Sequence, residues 1–414
     1  MRLVNQIKHC SPIAILPMPA NSALIYLDHN ATTPIDPGVR DAMMPFLSDR
    51  YGNPSSQHAL GRQAAKAVEQ ARQQLSQFLD CSSDELFFTS GGTESSNLAI
   101  SGTIMATDPP ASAHIITSAI EHPATLEPCR ALRQMGCEIT VIGCDSNGVM
   151  QPHEVASAIQ PNTKLVSVMH ANNETGSIQP INAISHICKQ SGILLHVDAA
   201  QSVGKLPVSC QKIGIDLMTV AGHKFYAPKG IGCLVARKGI TLSPLVHGGG
   251  QERGLSPGTE NVAQIIALGA AAEIAAEKGE SDAMRICGLR DQFENLVEQE
   301  THGDIFIHAK SAERLMNTTS VSFPDVEAVE LLNRIPFLCA STGAACHSHS
   351  TVISATLQAM GVTEPIARGT VRISMGRHTT EDEIQQAAYA LAETWKKIRA
   401  TRPAAHEAGD TTKP

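Results

Sequence analysis

The sequence predicts an α/β protein whose mostly parallel, buried sheet is followed by a smaller α+β domain. Two observations carry that expectation. Short Val-, Ile- and Leu-rich runs alternate with helix-spaced segments up to about residue 275, the pattern of a parallel sheet covered on both faces. Beyond that point the texture changes to a charged helical stretch and then to strand-like runs with helices between them. At 414 residues the chain is also longer than one simple core, which favours two domains.

Taken in order, residues 1–24 hold basic residues and a short apolar run. Pro12, Pro17 and Pro19 break that run, so a flexible extension is expected rather than a targeting signal. The large domain is expected over 25–275, its first residues either there or joined to the small domain. Its strand-like runs are ELFFTSGG, HIITSAI, LVSVMHAN, LLHVDAA, DLMTVAGHK and GCLVAR, while GRQAAKAVEQARQQLSQFL and NVAQIIALGAAAEIAAEKG carry helical spacing. The small domain is expected over 276–400, with strands in TSVSFP, FLCASTG and TVRISMG. Residues 401–414 hold Pro, Gly and charge without periodicity and are expected to be disordered.

Composition excludes several classes of function. The net charge is -8 with no long Lys/Arg block, so neither a nucleic-acid partner nor a membrane surface is expected. No apolar run is long enough to span a bilayer. The eleven cysteines are scattered without paired metal-type spacing. That argues against a disulfide framework or a zinc site and for a reducing, cytoplasmic setting.

In a parallel α/β sheet, ligands bind outside the carboxyl ends of the strands. Asp198 ends one run and Lys224 follows another, preceded by His223. A lone strand-end Lys is ordinarily a solvated charge. Together with a buried strand-end Asp, it is what pyridoxal phosphate requires: an amine for the Schiff base and a carboxylate to hold the pyridine nitrogen protonated. The stretch FTSGGTESS supplies phosphate chemistry, with Gly91 and Gly92 for close approach, Thr93 for a hydroxyl, and a helix beginning near Glu94. His122 is able to stack on a ring or to be a satisfied core histidine. Asn173 and Gln201 add polar groups that also suit turns.

The ordered set LDHNATTP, GNPSSQHALGR, TSGGTES, EHPA, NNETG, HVDAAQSVGK, GHKFYAPKGIG, GGGQERGLSPGTEN, GAACHSH and VRISMGR resembles the cysteine desulfurase and selenocysteine lyase family, from Tyr26 to Leu391. These are class V aminotransferase-like, pyridoxal-phosphate enzymes of the aspartate-aminotransferase fold (fold type I), with a mostly parallel seven-stranded sheet. The resemblance implies that Lys224 carries the cofactor, Asp198 meets its pyridine nitrogen, His122 stacks on the ring and acts in catalysis, and Gln201 meets the phenolic oxygen. It gives Gly92, Thr93 and His223 to the phosphate and Asn173 to the substrate side. Thr259 would be a phosphate ligand reaching the other subunit of a homodimer with shared sites. Arg372 would bind the substrate carboxylate as a bidentate pair, with Arg377 structural. Cys346, on a mobile loop near 340–352, would accept sulfur as a persulfide; no metal is implied.

The implied reaction converts L-cysteine to L-alanine, with sulfur leaving through Cys346 to a protein acceptor, in iron–sulfur cluster assembly or a related pathway. Two features depart from the desulfurase pattern. Ala221 stands where the family often has a phosphate-binding Ser, and GAACHSH is closer to the motif of selenocysteine lyases, which act on L-selenocysteine. Pro123 points back towards desulfurases. His347 and His349 flank the nucleophile, either tuning its thiol or simply solvated. Aminotransfer and a non-catalytic scaffold are the remaining alternatives.

Overall fold

The computed structural model describes residues 24–342 and 353–401. In chain order the strands are β1 (Ile25–Tyr26), β2 (Leu86–Thr89), β3 (His114–Ser118), β4 (Glu138–Ile142), β5 (Thr163–Met169), β6 (Leu194–Asp198), β7 (Leu217–Ala221) and β8 (Gly232–Ala236). They continue with β9 (Phe306–Ile307), β10 (Thr318–Ser322), β11 (Leu338–Cys339), β12 (Ser341–Thr342) and β13 (Thr370–Ser374). Seven of them form the large sheet in the order β2-β8-β7-β6-β5-β3-β4. Only β8 in that sheet runs antiparallel to its neighbours. The α/β expectation and the mostly parallel sheet are therefore met.

Period-2 alternation sends successive side chains to opposite faces. On β3, Ile115 joins the cluster of Leu98, Ile100 and Leu132, whereas Ile116 joins that of Leu75, Val166 and Leu268. Leu217 and Met218 of β7 divide in the same way. Both faces are covered, which is why these strands read as continuous apolar runs.

The helix Ala59–Leu79 shows how spacing selects structure. Ala64, Val68, Ala71, Leu75 and Leu79 recur at three- and four-residue intervals and are buried against the sheet and its neighbouring helix. His58 caps its start by accepting from the Gly61 N–H, and Asp80 ends it in the left-handed conformation.

The second lobe is a four-stranded antiparallel sheet in the order β12-β13-β10-β9, covered by the helix Glu381–Thr401. β1 pairs in parallel with β11, so the first described strand belongs to this lobe. FLCASTG, expected as one strand, is divided between β11 and β12. The change of texture near residue 275 is not a break in secondary structure, because one helix runs from Val262 to Glu300. Its Ala263–Ala275 portion packs in the large core and Ile286 to Val297 in the small one.

A buried ion pair fastens the start of the large sheet. Arg72 meets Glu252 through two hydrogen bonds of 3.0 and 2.7 Å, and Glu252 also accepts from the Phe88 N–H at 2.8 Å. Removing one partner of such a pair strands a buried charge. Glu252→Ala is expected to lower stability by about 3–5 kcal/mol. A urea denaturation series checks this, and Arg72→Met added to Glu252→Ala should restore part of the loss.

Candidate active site

Strand ends β5, β6 and β7, the helix Gly92–Met105 and the strand β13 converge on a cavity of about 440 Å³. Gly92, Thr93, His122, Asn173, Asp198, Gln201, His223, Lys224 and Arg372 all line it. The structure thus brings together all but two of the site residues expected from sequence. Thr259 is exposed and lines a separate depression with Glu94, Ser256 and Glu260. Cys346, with His347 and His349, lies outside the described residues.

Each side chain is placed by local structure. Asp198 is the last residue of β6, buried, with one carboxylate oxygen accepting from the Ala200 N–H at 3.0 Å. Burial raises its carboxyl above the ordinary range, against the pull of that N–H, His122 and Lys224. His122 caps the helix Pro123–Gln134, its Nδ1 accepting from the Ala124 N–H at 3.1 Å. Burial lowers the imidazole's pKa, and the capping bond leaves the proton of the neutral ring on Nε2.

Lys224 ends the short turn Gly222–Lys224 that follows β7. Its Nζ donates to the carbonyls of Asn30 at 2.6 Å and Ala31 at 2.9 Å. Burial and then the Arg372 charge bring the amine down to about 8, partly opposed by Asp198 and Asp28. His223 Nδ1 lies 3.2 Å from the Thr32 hydroxyl, and burial pushes its pKa down to about 4.

Two features of the cavity lining fit an anion. The helix expected near Glu94 begins at Gly92. Its cap, Gly91, has φ of 148°, a conformation that disfavours a side chain, and no side chain caps the first-turn amides. A Cβ on Gly92 would approach the Ala221 Cβ at 3.1 Å, so the backbone comes close to the cavity wall at Ala221. Arg372 is held by Asp28 at 2.6 Å, the Ser341 hydroxyl at 3.0 Å and the Asn173 carbonyl at 3.1 Å. Its Nε is a buried donor with no partner among the described residues. With a phosphate-type helix terminus, an amine of lowered pKa, a buried carboxylate and an unspent guanidinium donor, the residues present fit pyridoxal phosphate and an amino acid carboxylate.

Arg377 is not part of the cavity lining. It is bound to Asp36 and Asp282, each at 2.6 Å, and its guanidinium lies 4.4 Å from the Tyr226 ring centre. Sequence reasoning missed Asn30, which lines the cavity and receives Lys224, and Lys205, four residues after Gln201. Both sit inside quoted motifs, LDHNATTP and HVDAAQSVGK, but a carbonyl acceptor leaves no mark on side-chain identity. Among the described residues no group of His, Cys, Asp and Glu is placed to hold a metal, and no helix is long and apolar enough to cross a membrane.

Comparison with known proteins gives concordant results. The family described as aminotransferase class-V matches residues 25–387. Cysteine desulfurase IscS of Dictyoglomus turgidum is 42% identical over 381 residues, covering 92% of this chain and 96% of the relative. Among solved structures, a NifS-like protein superposes with a TM-score of 0.84 at 37% identity, covering 91% of this chain and 100% of the other. SspA in complex with cysteine gives a TM-score of 0.76 at 34% identity, covering 86% and 99%.

The position of Lys224 has a measurable consequence. Its neutral, proton-accepting form should grow as pH rises through about 8. In the protein free of any bound ligand, acylation of Lys224 followed by peptide mass spectrometry should show a midpoint near that value. Exposed lysines should titrate near ~10.4.

Proposed function

This chain belongs to the aminotransferase class-V family, among its pyridoxal-phosphate-dependent cysteine desulfurases, and we propose that the Lys224 cavity converts L-cysteine to L-alanine and passes the sulfur to Cys346. The observation that carries this reading is the convergence of Lys224, Asp198, His122 and Arg372 on one cavity at the strand ends. Bound pyridoxal phosphate supplies an electron sink for loss of the Cα proton and for cleavage at the neighbouring carbon.

Lys224 would carry the cofactor, and its phosphate would be held by Thr93, His223 and the first-turn amides of the helix Gly92–Met105. Asp198 would serve the pyridine nitrogen, His122 the ring face and Gln201 the phenolic oxygen. Arg372 would take the substrate carboxylate through the donor that has no partner among the described residues, beside Asn173. That contact orients the substrate's Cα–H towards the amine.

Lys224 Nζ then moves the Cα proton. An amine brought down to about 8 is available as a base near neutrality and is still able to return the proton. His122, neutral with its proton on Nε2, is the candidate acid of the cavity wall. The thiolate of Cys346 attacks the substrate sulfur, forming the S–S bond of a persulfide as the carbon–sulfur bond breaks. Both flanks of the segment carrying Cys346 are tied beside this chemistry. Ser341 accepts from Arg372, and Ser354 donates to Glu174.

Exposed Thr259, set apart from its own cavity, supports a homodimer in which it reaches the partner's phosphate. All nine cysteines among the described residues are unpaired thiols, which supports a reducing, cytoplasmic setting and delivery of the persulfide to a protein acceptor. The name of the SspA structure, with its bound cysteine, supports L-cysteine as substrate. Release of selenium from L-selenocysteine, raised by GAACHSH, gains nothing from the relatives.

Alanine and sulfide formation from L-cysteine, followed in the wild type and in Cys346→Ala, tests the reading. The variant should lose turnover on the order of a hundredfold or more. Undiminished cysteine turnover in Cys346→Ala would remove that thiol from the reaction, and formation of a keto acid in place of alanine would turn the enzyme into an aminotransferase.

A further inference from the structure

We infer that Glu121 is the positioning residue that ties His122 to the sheet beside Asp198, so that the imidazole and the buried carboxylate keep a fixed relation across the cavity. The inference rests on reading that cavity as a pyridoxal-phosphate site. Glu121 itself is not among the residues that line it.

The need arises where two parallel strands part. β5 pairs with β3 up to Ser167, opposite Thr117, and with β6 up to Met169, opposite Asp198. Beyond Ser118 the chain stays with β4 and leaves β5, the Ala119 N–H donating to the Ile142 carbonyl at 2.8 Å. On the β6 side, the His170 N–H donates to the Asp198 carbonyl at 2.9 Å. The Met169 N–H, one residue earlier, is on the opposite edge of its strand and faces the side that β3 has left. A buried N–H without an acceptor there would be costly.

Glu121 supplies the acceptor. Its Oε1 accepts from the Met169 N–H at 2.8 Å and from the Ser118 hydroxyl at 2.6 Å. The carboxyl thus fills the gap between the last residue of β3 and the last residue of β5. Met169 lies beside Asp198 in register, and Glu121 precedes His122 in the chain. One side chain therefore joins the two groups read as holding the cofactor's ring.

The other contacts of this turn do less. The bond from the Ala124 N–H to His122 Nδ1 is local: it sets the imidazole against the first turn of its own helix and moves with that helix. Asn172 Nδ2 donates to the Ile120 carbonyl at 3.2 Å, but from the loop beyond β5. Glu121 bonds the turn to the strand itself.

The carboxyl serves as a neutral acid. It is 5% exposed, and burial pushes it up to about 8, against the pull of the Ser118 and Met169 donors and with the Asp198 charge adding to the rise. Both donors converge on Oε1, which leaves the proton to Oε2, an atom without a partner among the described residues. Glu121 thereby adds no second negative charge behind Asp198. A glutamine has the same shape, with an oxygen to accept and an amino group in place of the hydroxyl.

The test uses the loaded protein and reads the circular dichroism of the cofactor's visible band together with the steady-state constants for L-cysteine. Glu121→Leu removes the acceptor and should lose most of the dichroism. It should lower kcat about tenfold to a hundredfold at little-changed KM, because Arg372 and Asn173 are untouched while the imidazole is displaced. Glu121→Gln should keep the wild-type values of both. His122→Ala should lose at least as much as Glu121→Leu, and the double variant should add little to His122→Ala, as expected when one residue acts through the other. A merely structural carboxyl would weaken the strand end whatever stood at residue 122, and the losses would add. If Glu121→Leu does not fold, Glu121→Asp, one methylene short of the Met169 N–H, decides the matter by the same losses. Fully additive losses, a Glu121→Gln variant as impaired as Glu121→Leu, or wild-type dichroism and kcat in Glu121→Leu overturns the inference. A wild type that forms no visible band with pyridoxal phosphate overturns the reading of the cavity instead.

Discussion

The site depends on one constraint: the amine of Lys224 must be held in place without being fixed as a cation. The protein meets it with main-chain oxygens. The carbonyls of Asn30 and Ala31 receive Nζ, while burial and the Arg372 charge weaken its hold on a proton. A carboxylate in that position would have tied the amine down as an ammonium ion. Carbonyls hold it by geometry and release it at small cost.

Those carbonyls are precise because the strand segment that carries them is stitched into both lobes. β1 pairs with β11, and Asp28 bonds Arg372 beside β13. Asn30 is bound to Ser374 and Thr318, and the Thr33 N–H and hydroxyl both donate to the carbonyl of His223, next to Lys224. Arg372 and Lys224 are thereby referred to one short stretch of backbone. Burial at this junction is extensive, and among the described residues Arg372 Nε, the donor assigned to substrate, is one of a few buried polar atoms there without a partner, with His29 Nδ1 and the Thr319 hydroxyl.

Much of this was legible in the sequence. Strand-end residues Asp198, Lys224 and His122 could be placed because alternating apolar runs reveal where parallel strands stop. Gly91 and Thr93 could be placed because a helix start after a strand makes an anion site. Asn30 and Lys205 were not legible as site residues, since their roles come from contacts across more than 170 positions of chain, with carbonyl and amide oxygens as acceptors. The cysteines follow a similar logic. Burial pushes the thiols of Cys129 and Cys188 up to about 12, an effect of packing that residue identity alone does not reveal.

The helix Val262–Glu300 binds the two lobes in a way that domain boundaries drawn on sequence conceal. Its first half completes the large core and its second half the small one, with no turn between. Fraying of the small lobe therefore withdraws support from a helix that covers the large sheet, and the reverse also holds. Two hydrophobic cores then melt as a single cooperative unit, and neither has a native boundary at which the chain could be divided.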